Sequence, residues 1–147
     1  MNRIVCLLLL VFFTFTSCQN IESGDTLDKR IIVKIKELGL LDGDERIILY
    51  YSNHEKDMAG NFFTDKRIAH YWLDQHDDSK TDVSFAYYED IISIDTNFKV
   101  YDFSIPYMTI KKKDSTTFKV YIDGTHEQEK IFFETAIDLW KKRNTTK

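Results

Sequence analysis

The 147-residue sequence predicts an α+β domain built on an antiparallel meander: one helix, about seven short strands, then one long C-terminal helix. Three observations carry that prediction. Apolar residues recur at three- and four-residue spacing near the two ends of the soluble part, while β-branched and aromatic runs separated by polar turns fill the middle. Eleven Phe and eight Tyr stand against only five Gly and one Pro, a balance that suits regular elements joined by tight turns. At 43% apolar the chain can bury one ordinary core, so a single domain is expected.

The elements follow in order. Leu27, Ile31, Ile35 and Leu38 make one apolar face of a helix, with Lys29, Arg30, Lys34 and Lys36 on its solvated side. Asp25 or Thr26 is placed to cap its start, and Gly39 to end it in a left-handed conformation. After the turn Asp42-Gly43-Asp44, Arg46 to Tyr51 reads as a strand, and residues 53–57 as a polar break. Gly60 to Thr64 and Arg67 to Leu73 form a hairpin around Asp65-Lys66, followed by an acidic loop from Asp74 to Asp82. Val83 to Tyr88, Asp90 to Ile94 and the alternating Phe98 to Phe103 supply further strands. Tyr107 to Lys111 and Thr117 to Ile122 form a second hairpin around Asp114-Ser115. Thr125 followed by Gln128 is a capping-box pattern, and Phe132, Phe133, Ala136, Ile137 and Trp140 make the apolar face of the closing helix. Lys141, Lys142 and Arg143 suit the negative end of its dipole.

The first 17 residues have the build of an export signal: Arg3, an apolar run from Ile4 to Phe15, then small Thr16 and Ser17. Twelve residues at about 1.5 Å each span roughly 18 Å, well short of a hydrocarbon core of about 30 Å, so this segment is read as cleaved rather than spanning. Phe15-Thr16-Ser17-Cys18 resembles the bacterial lipobox, with Phe15 where the commonest form has Leu. The resemblance implies cleavage before Cys18, diacylglycerol on its thiol, and a further fatty acyl group of the palmitate type on the freed amine. Cysteine arithmetic agrees with that reading: Cys6 leaves with the signal, so Cys18 is alone in the mature chain and has no disulfide partner there. Two or three acyl chains anchor stably where one is marginal. The expected organisation is thus residues 1–17 as signal, 18–25 as a lipidated tether and 26–147 as one domain. The expected location is the bacterial cell envelope, the outer membrane being favoured because Gln19 is not the Asp that retains some lipoproteins at the inner membrane.

From Ile47 to Trp140 the chain resembles the bacterial pleckstrin-homology-like domains, also called PH-like or GRAM-like. The residues that carry the resemblance are Asn61-Phe62-Phe63-Thr64-Asp65-Lys66-Arg67-Ile68, Tyr88-Glu89-Asp90-Ile91-Ile92-Ser93-Ile94, the lysine-rich second hairpin and a final helix with a late Trp. It implies a partly open antiparallel barrel of about seven strands, with the last helix closing one end through Trp140. The helix before Ile47 is an addition to that pattern.

Motifs of chemistry are sparse. His54, His70, His76 and His126 sit in no tight ligand motif and are read as satisfied or solvated. The Asp74 to Asp82 loop lacks the Gly and late Glu of a calcium loop and is read as a solvated turn. No Gly-x-Ser-x-Gly elbow or glycine-rich phosphate loop occurs, and Glu89 and Asp90, adjacent on an expected strand, point apart. No catalytic, cofactor or metal residue is therefore assigned; the one assigned site is lipidation at Cys18. The run Lys111-Lys112-Lys113 with Lys119 is read as guarding a hairpin edge. Loss of Arg3 with the signal takes the net charge from −4 to −5, which gives no pull toward nucleic acid. The expected function is a non-catalytic, membrane-anchored envelope lipoprotein that contacts a protein partner. The alternatives are a binding module for a small apolar or amphipathic ligand, held between the sheets or under the first helix, and a hydrolase or metal-dependent enzyme.

Overall fold

Three pairs of apolar or aromatic neighbours, Tyr50-Tyr51, Phe62-Phe63 and Ile68-Ala69, stand within expected strands. Neighbours on a strand point to opposite faces, so such doublets are stable only in a sheet covered on both sides. The structure, a computed structural model, describes residues 21–98 and 104–145 and shows that arrangement. Strands β1 (Ile21–Ser23), β2 (Ile47–Tyr51), β3 (Ala59–Thr64), β4 (Arg67–Trp72) and β5 (Asp82–Tyr87) form one antiparallel sheet in that order. Strands β6 (Ile91–Asn97), β7 (Tyr107–Lys112) and β8 (Thr117–Tyr121) form a second. The two sheets do not join into a closed barrel.

One face of the first sheet carries Tyr51, Phe63 and Ile68 toward the second sheet, where Met108, Ile110 and Val120 meet them. Helix α2 (His126–Thr145) completes this core. Its Phe132 and Phe133 are fully buried, and Phe132 stands edge-on to Phe63 at 4.8 Å between ring centres. Trp140 was expected to be the plug. Instead it lies at the margin, half-buried, with Nε1 donating to the Ile91 carbonyl at 3.3 Å. The opposite face of the first sheet carries Tyr50, Phe62, Ala69 and Tyr71, and helix α1 (Lys29–Glu37) lays Ile31 and Ile35 on them. The added N-terminal helix therefore fills a second core outside the sheet pair, and the space beneath it is occupied by side chains that are 0–1% exposed.

A buried ion pair fixes the loop that follows α1. Arg67, 1% exposed, donates from Nε to Glu45 Oε1 at 2.9 Å and from Nη2 to Glu45 Oε2 and Asp42 Oδ2, both at 2.6 Å. Thr64 Oγ1 donates to Glu45 Oε1 at 2.5 Å, and the Asp42 N–H to Glu45 Oε2 at 3.0 Å. The Tyr87 and Phe85 rings lie 4.4 and 4.9 Å from the guanidinium carbon. A charge removed from water is tolerable only when answered in this way.

Several expectations are corrected. Residues 21–23, assigned to the tether, are strand β1: Ile21, Glu22 and Ser23 pair with Tyr51, Tyr50 and Leu49, and Glu22 ion-pairs with Lys56. The α1 cap is Asp28, whose carboxylate accepts from the Arg30 N–H at 2.8 Å; Thr26 Oγ1 donates back to the Ser23 carbonyl instead. Gly39 does end the helix left-handed, at φ +72°. Tyr88 to Asp90 is a 3-10 turn, not strand, so Glu89 and Asp90 have no strand alternation to separate them. Of the lysines read as guarding an edge, Lys111 and Lys112 end β7, the central strand of its sheet, whereas Lys119 does lie on an edge strand, β8. The capping box forms as expected, Thr125 N–H to Gln128 Oε1 at 2.9 Å and Gln128 N–H to Thr125 Oγ1 at 3.3 Å. Of the strand expected from Phe98 to Phe103, residues 99–103 lie outside the described residues, as do the signal and Cys18.

Two stability tests follow. A Glu45→Gln variant removes one partner of the buried pair and should cost about 3–5 kcal/mol, whereas the joint replacement Glu45→Leu with Arg67→Met should cost less because no charge is left buried. Urea midpoints of the three proteins check this ordering. A Cβ at residue 60 meets ring carbons of Tyr50 and Tyr71 at 2.6 Å, and those rings are held by hydroxyl contacts to each other and to the Ala59 and Lys56 carbonyls. Gly60→Ala should therefore lower stability by about 1–3 kcal/mol, and a melting temperature equal to wild type would contradict that packing.

Candidate functional site

Strand alternation that sends Tyr71 to the α1 side sends His70 and Trp72 the other way, toward the second sheet. There the sheets diverge, bridged by Asn61 Oδ1 accepting from the Tyr121 N–H at 3.1 Å. The divergence leaves a cleft of about 390 Å³ with His70 and Asp82 in its wall and Trp72, Tyr121 and Ile105 among its lining residues. Those last three are large side chains left exposed. A site of this size, mainly apolar with few polar groups, has the make-up of a small-ligand site.

His70 is the polar centre of the cleft, and it departs from the reading of a satisfied or solvated histidine. Its side chain is 9% exposed, its ring stacks on Phe118 at 5.7 Å, and its Nε2 is buried with no hydrogen-bond partner. Asp82 Oδ2 lies 3.3 Å from Nε2 yet outside hydrogen-bonding geometry, which is why the contact is close without being satisfying. Burial holds the imidazole below its usual pKa, with the Asp82 charge pulling weakly the other way. His70 is thus neutral at neutral pH, while the Asp82 side chain, 58% exposed, receives its own hydrogen bond from Ser84 Oγ at 2.9 Å.

The remaining sequence candidates do not gather here. His54 stands edge-on to Trp72 at 5.3 Å, His76 lies in the loop before β5, and His126 begins α2. Of the acidic loop only its last residue, Asp82, reaches the cleft: Asp74 Oδ1 accepts from the His76 and Asp77 N–H groups, and Asp77 Oδ1 from Ser79. Among the described residues no three His, Cys, Asp or Glu side chains come together as a metal site. A larger, shallower depression of about 550 Å³ separates β5 from the turn at Lys112 to Asp114; Lys112 Nζ lies 3.7 Å from Asp114 there. The cleft was missed from sequence because Trp72, Asp82 and Tyr121 come from three strands. The one local signal in the sequence is that His70, on an alternating strand, lies on the face opposite Ala69 and Tyr71.

Fold and site together describe an open, two-sheet antiparallel domain with a C-terminal helix and an aromatic-lined cleft where the sheets part. No family model matches the sequence, and no curated protein matches it. Among solved structures, the chain is similar to the crystal structure of a DUF1696 family protein with a pleckstrin-homology domain from Shewanella loihica PV-4. The two share 13% identity at a TM-score of 0.48, over 77% of this chain and 97% of that one.

The His70 environment makes stability depend on pH. The unfolded chain takes up a proton near 6.5 and the folded chain only at lower pH, so protonation favours unfolding. This contribution is fully present above about 6.5 and is lost as pH falls below it. Urea midpoints measured from pH 8 to pH 5 should decline across that window in wild type and decline less in His70→Gln. Equal slopes would remove His70 as the cause.

Proposed function

We propose that the chain is a lipid-anchored, non-catalytic binding module of the bacterial envelope, with a PH-like domain whose cleft at His70, Trp72 and Tyr121 holds a small ligand. The observation that carries the binding reading is the unpartnered, buried Nε2 of His70 in the wall of an aromatic-lined cleft. An unmet polar atom is costly to bury, and a bound ligand is one means of answering it. The alternative location, beneath α1, is filled by Ile31 and Ile35. The PH-like assignment is supported by the order of antiparallel strands and the closing helix α2.

Anchoring rests on the signal-like segment and Cys18. Among the described residues no helix is long and apolar enough to cross a membrane. Two or three acyl chains on Cys18 are the proposed hold. Two experiments test the reading. Intact mass of the protein from its membrane fraction should show a chain beginning at residue 18 with added acyl mass, and Cys18→Ala should lose both the cleavage and the membrane association; an unacylated soluble wild type rejects the anchor. A ligand-observed NMR screen of small aromatic and aliphatic compounds should find binders for the wild type that Trp72→Ala no longer holds. Binding indifferent to Trp72→Ala rejects the cleft.

A further inference from the structure

We propose that the cleft at His70 takes a small organic cation, a flat or short apolar body carrying an ammonium or guanidinium group that pairs with Asp82. This rests on the cleft being the binding surface, and it names the chemistry that fits there. Asp82 is a lining residue, and among the described residues that line the cleft none is a Lys or Arg to answer it. His70, which burial leaves neutral, brings no positive charge to the carboxylate either. The cleft therefore has a negative pole in a setting where aromatic rings supply much of the remaining surface. A cation is drawn to both, by charge to the carboxylate and by the ring quadrupole to Trp72 and Tyr121. An anionic ligand meets the same carboxylate as repulsion, and a neutral one gains neither attraction.

The unpartnered nitrogen points to the same ligand. With the imidazole proton on Nδ1, His70 Nε2 and Asp82 Oδ2 are two acceptors 3.3 Å apart that share no hydrogen bond. One cationic N–H group set between them donates to both and meets the need of the buried nitrogen. Asp82 begins β5, an edge strand, and most of its side chain is in solvent, so it can turn aside to admit the donor. Because Asp82 is exposed, its substitution by Asn leaves the packing of the domain in place.

The test uses the full chain, expressed with its N-terminal segment intact and held in maltoside micelles at pH 7.5. Four probes share one phenyl body: 2-phenylethylammonium, 2-phenylethylguanidinium, 2-phenylethanol and 3-phenylpropanoate. Dissociation constants are read from Trp72 fluorescence, with Trp72→Phe as the blank for Trp140. The two cations should bind at least about ten-fold more tightly than the alcohol, and Asp82→Asn should abolish that preference. N-acetyl-arginine amide, run beside them, separates sources: weaker binding than 2-phenylethylguanidinium supports a small molecule, and equal or tighter binding overturns that choice in favour of a peptide side chain. Equal affinity for alcohol and cations overturns the cationic class while the cleft stands. If none of the four gives a Trp72-dependent signal, the cleft reading falls with it.

Discussion

A guanidinium at 1% exposure must be answered on every side, and the groups that answer Arg67 come from far apart in the chain. Glu45 and Asp42 belong to the loop after α1, Thr64 to the end of β3, and Phe85 and Tyr87 to β5. A single side chain on β4 thereby ties the loop that leads out of α1 to the three strands that form the far half of the first sheet. The ring contacts to Arg67 matter for a second reason, because they steady β5, and β5 begins at Asp82. The geometry of the cleft is downstream of an ion pair at the opposite end of the same strand pair.

The two-sided burial of the first sheet explains why α1 belongs to the domain. Without it, Tyr50, Phe62 and Tyr71 would form an exposed aromatic patch, which monomeric proteins rarely tolerate. The two tyrosine hydroxyls turn this second core into a polar-anchored one: burial pushes Tyr71 up to about 12 and Tyr50 further still, so both remain neutral donors across the physiological range. The first core, by contrast, is closed by α2, with the Tyr51 hydroxyl bound to the backbone of Asp123 as a link between the sheets. The two cores share the backbone of β2 to β5, with Ala86 on one side of β5 and Phe85 on the other, and the cleft opens at the end of the sheet pair.

Much of the architecture was legible in residues. The periodicities of α1 and α2, the Thr125-Gln128 box and the left-handed Gly39 are local signals, and local chemistry reads out locally. The misreadings share a different character. Ile21-Glu22-Ser23 is too short and polar to announce a strand, and it becomes one because β2 offers it an edge. Asp28 rather than Asp25 caps α1 because Leu27 is drawn into the core, which sets where the helix can begin. Tyr88 to Asp90 turns because the chain must pass from one sheet to the other there. At the cleft, sequence read His70 like the other histidines as satisfied or solvated, since Asp82 faces it only through the β4–β5 pairing of His70 with Ser84 and Trp72 with Asp82.

The early pairing of β1 has a mechanical side. If Cys18 is the anchor, Gln19 and Asn20 alone separate it from Ile21, a span of roughly 10 Å at full extension. Held that closely, the domain would stay near the bilayer with β1 as its attachment, and a pull on the anchor would load first the three backbone pairings of β1 with β2. Ile21 packs against the first core and Glu22 ion-pairs with Lys56, so that load would pass from β1 straight into the core and into the loop after β2.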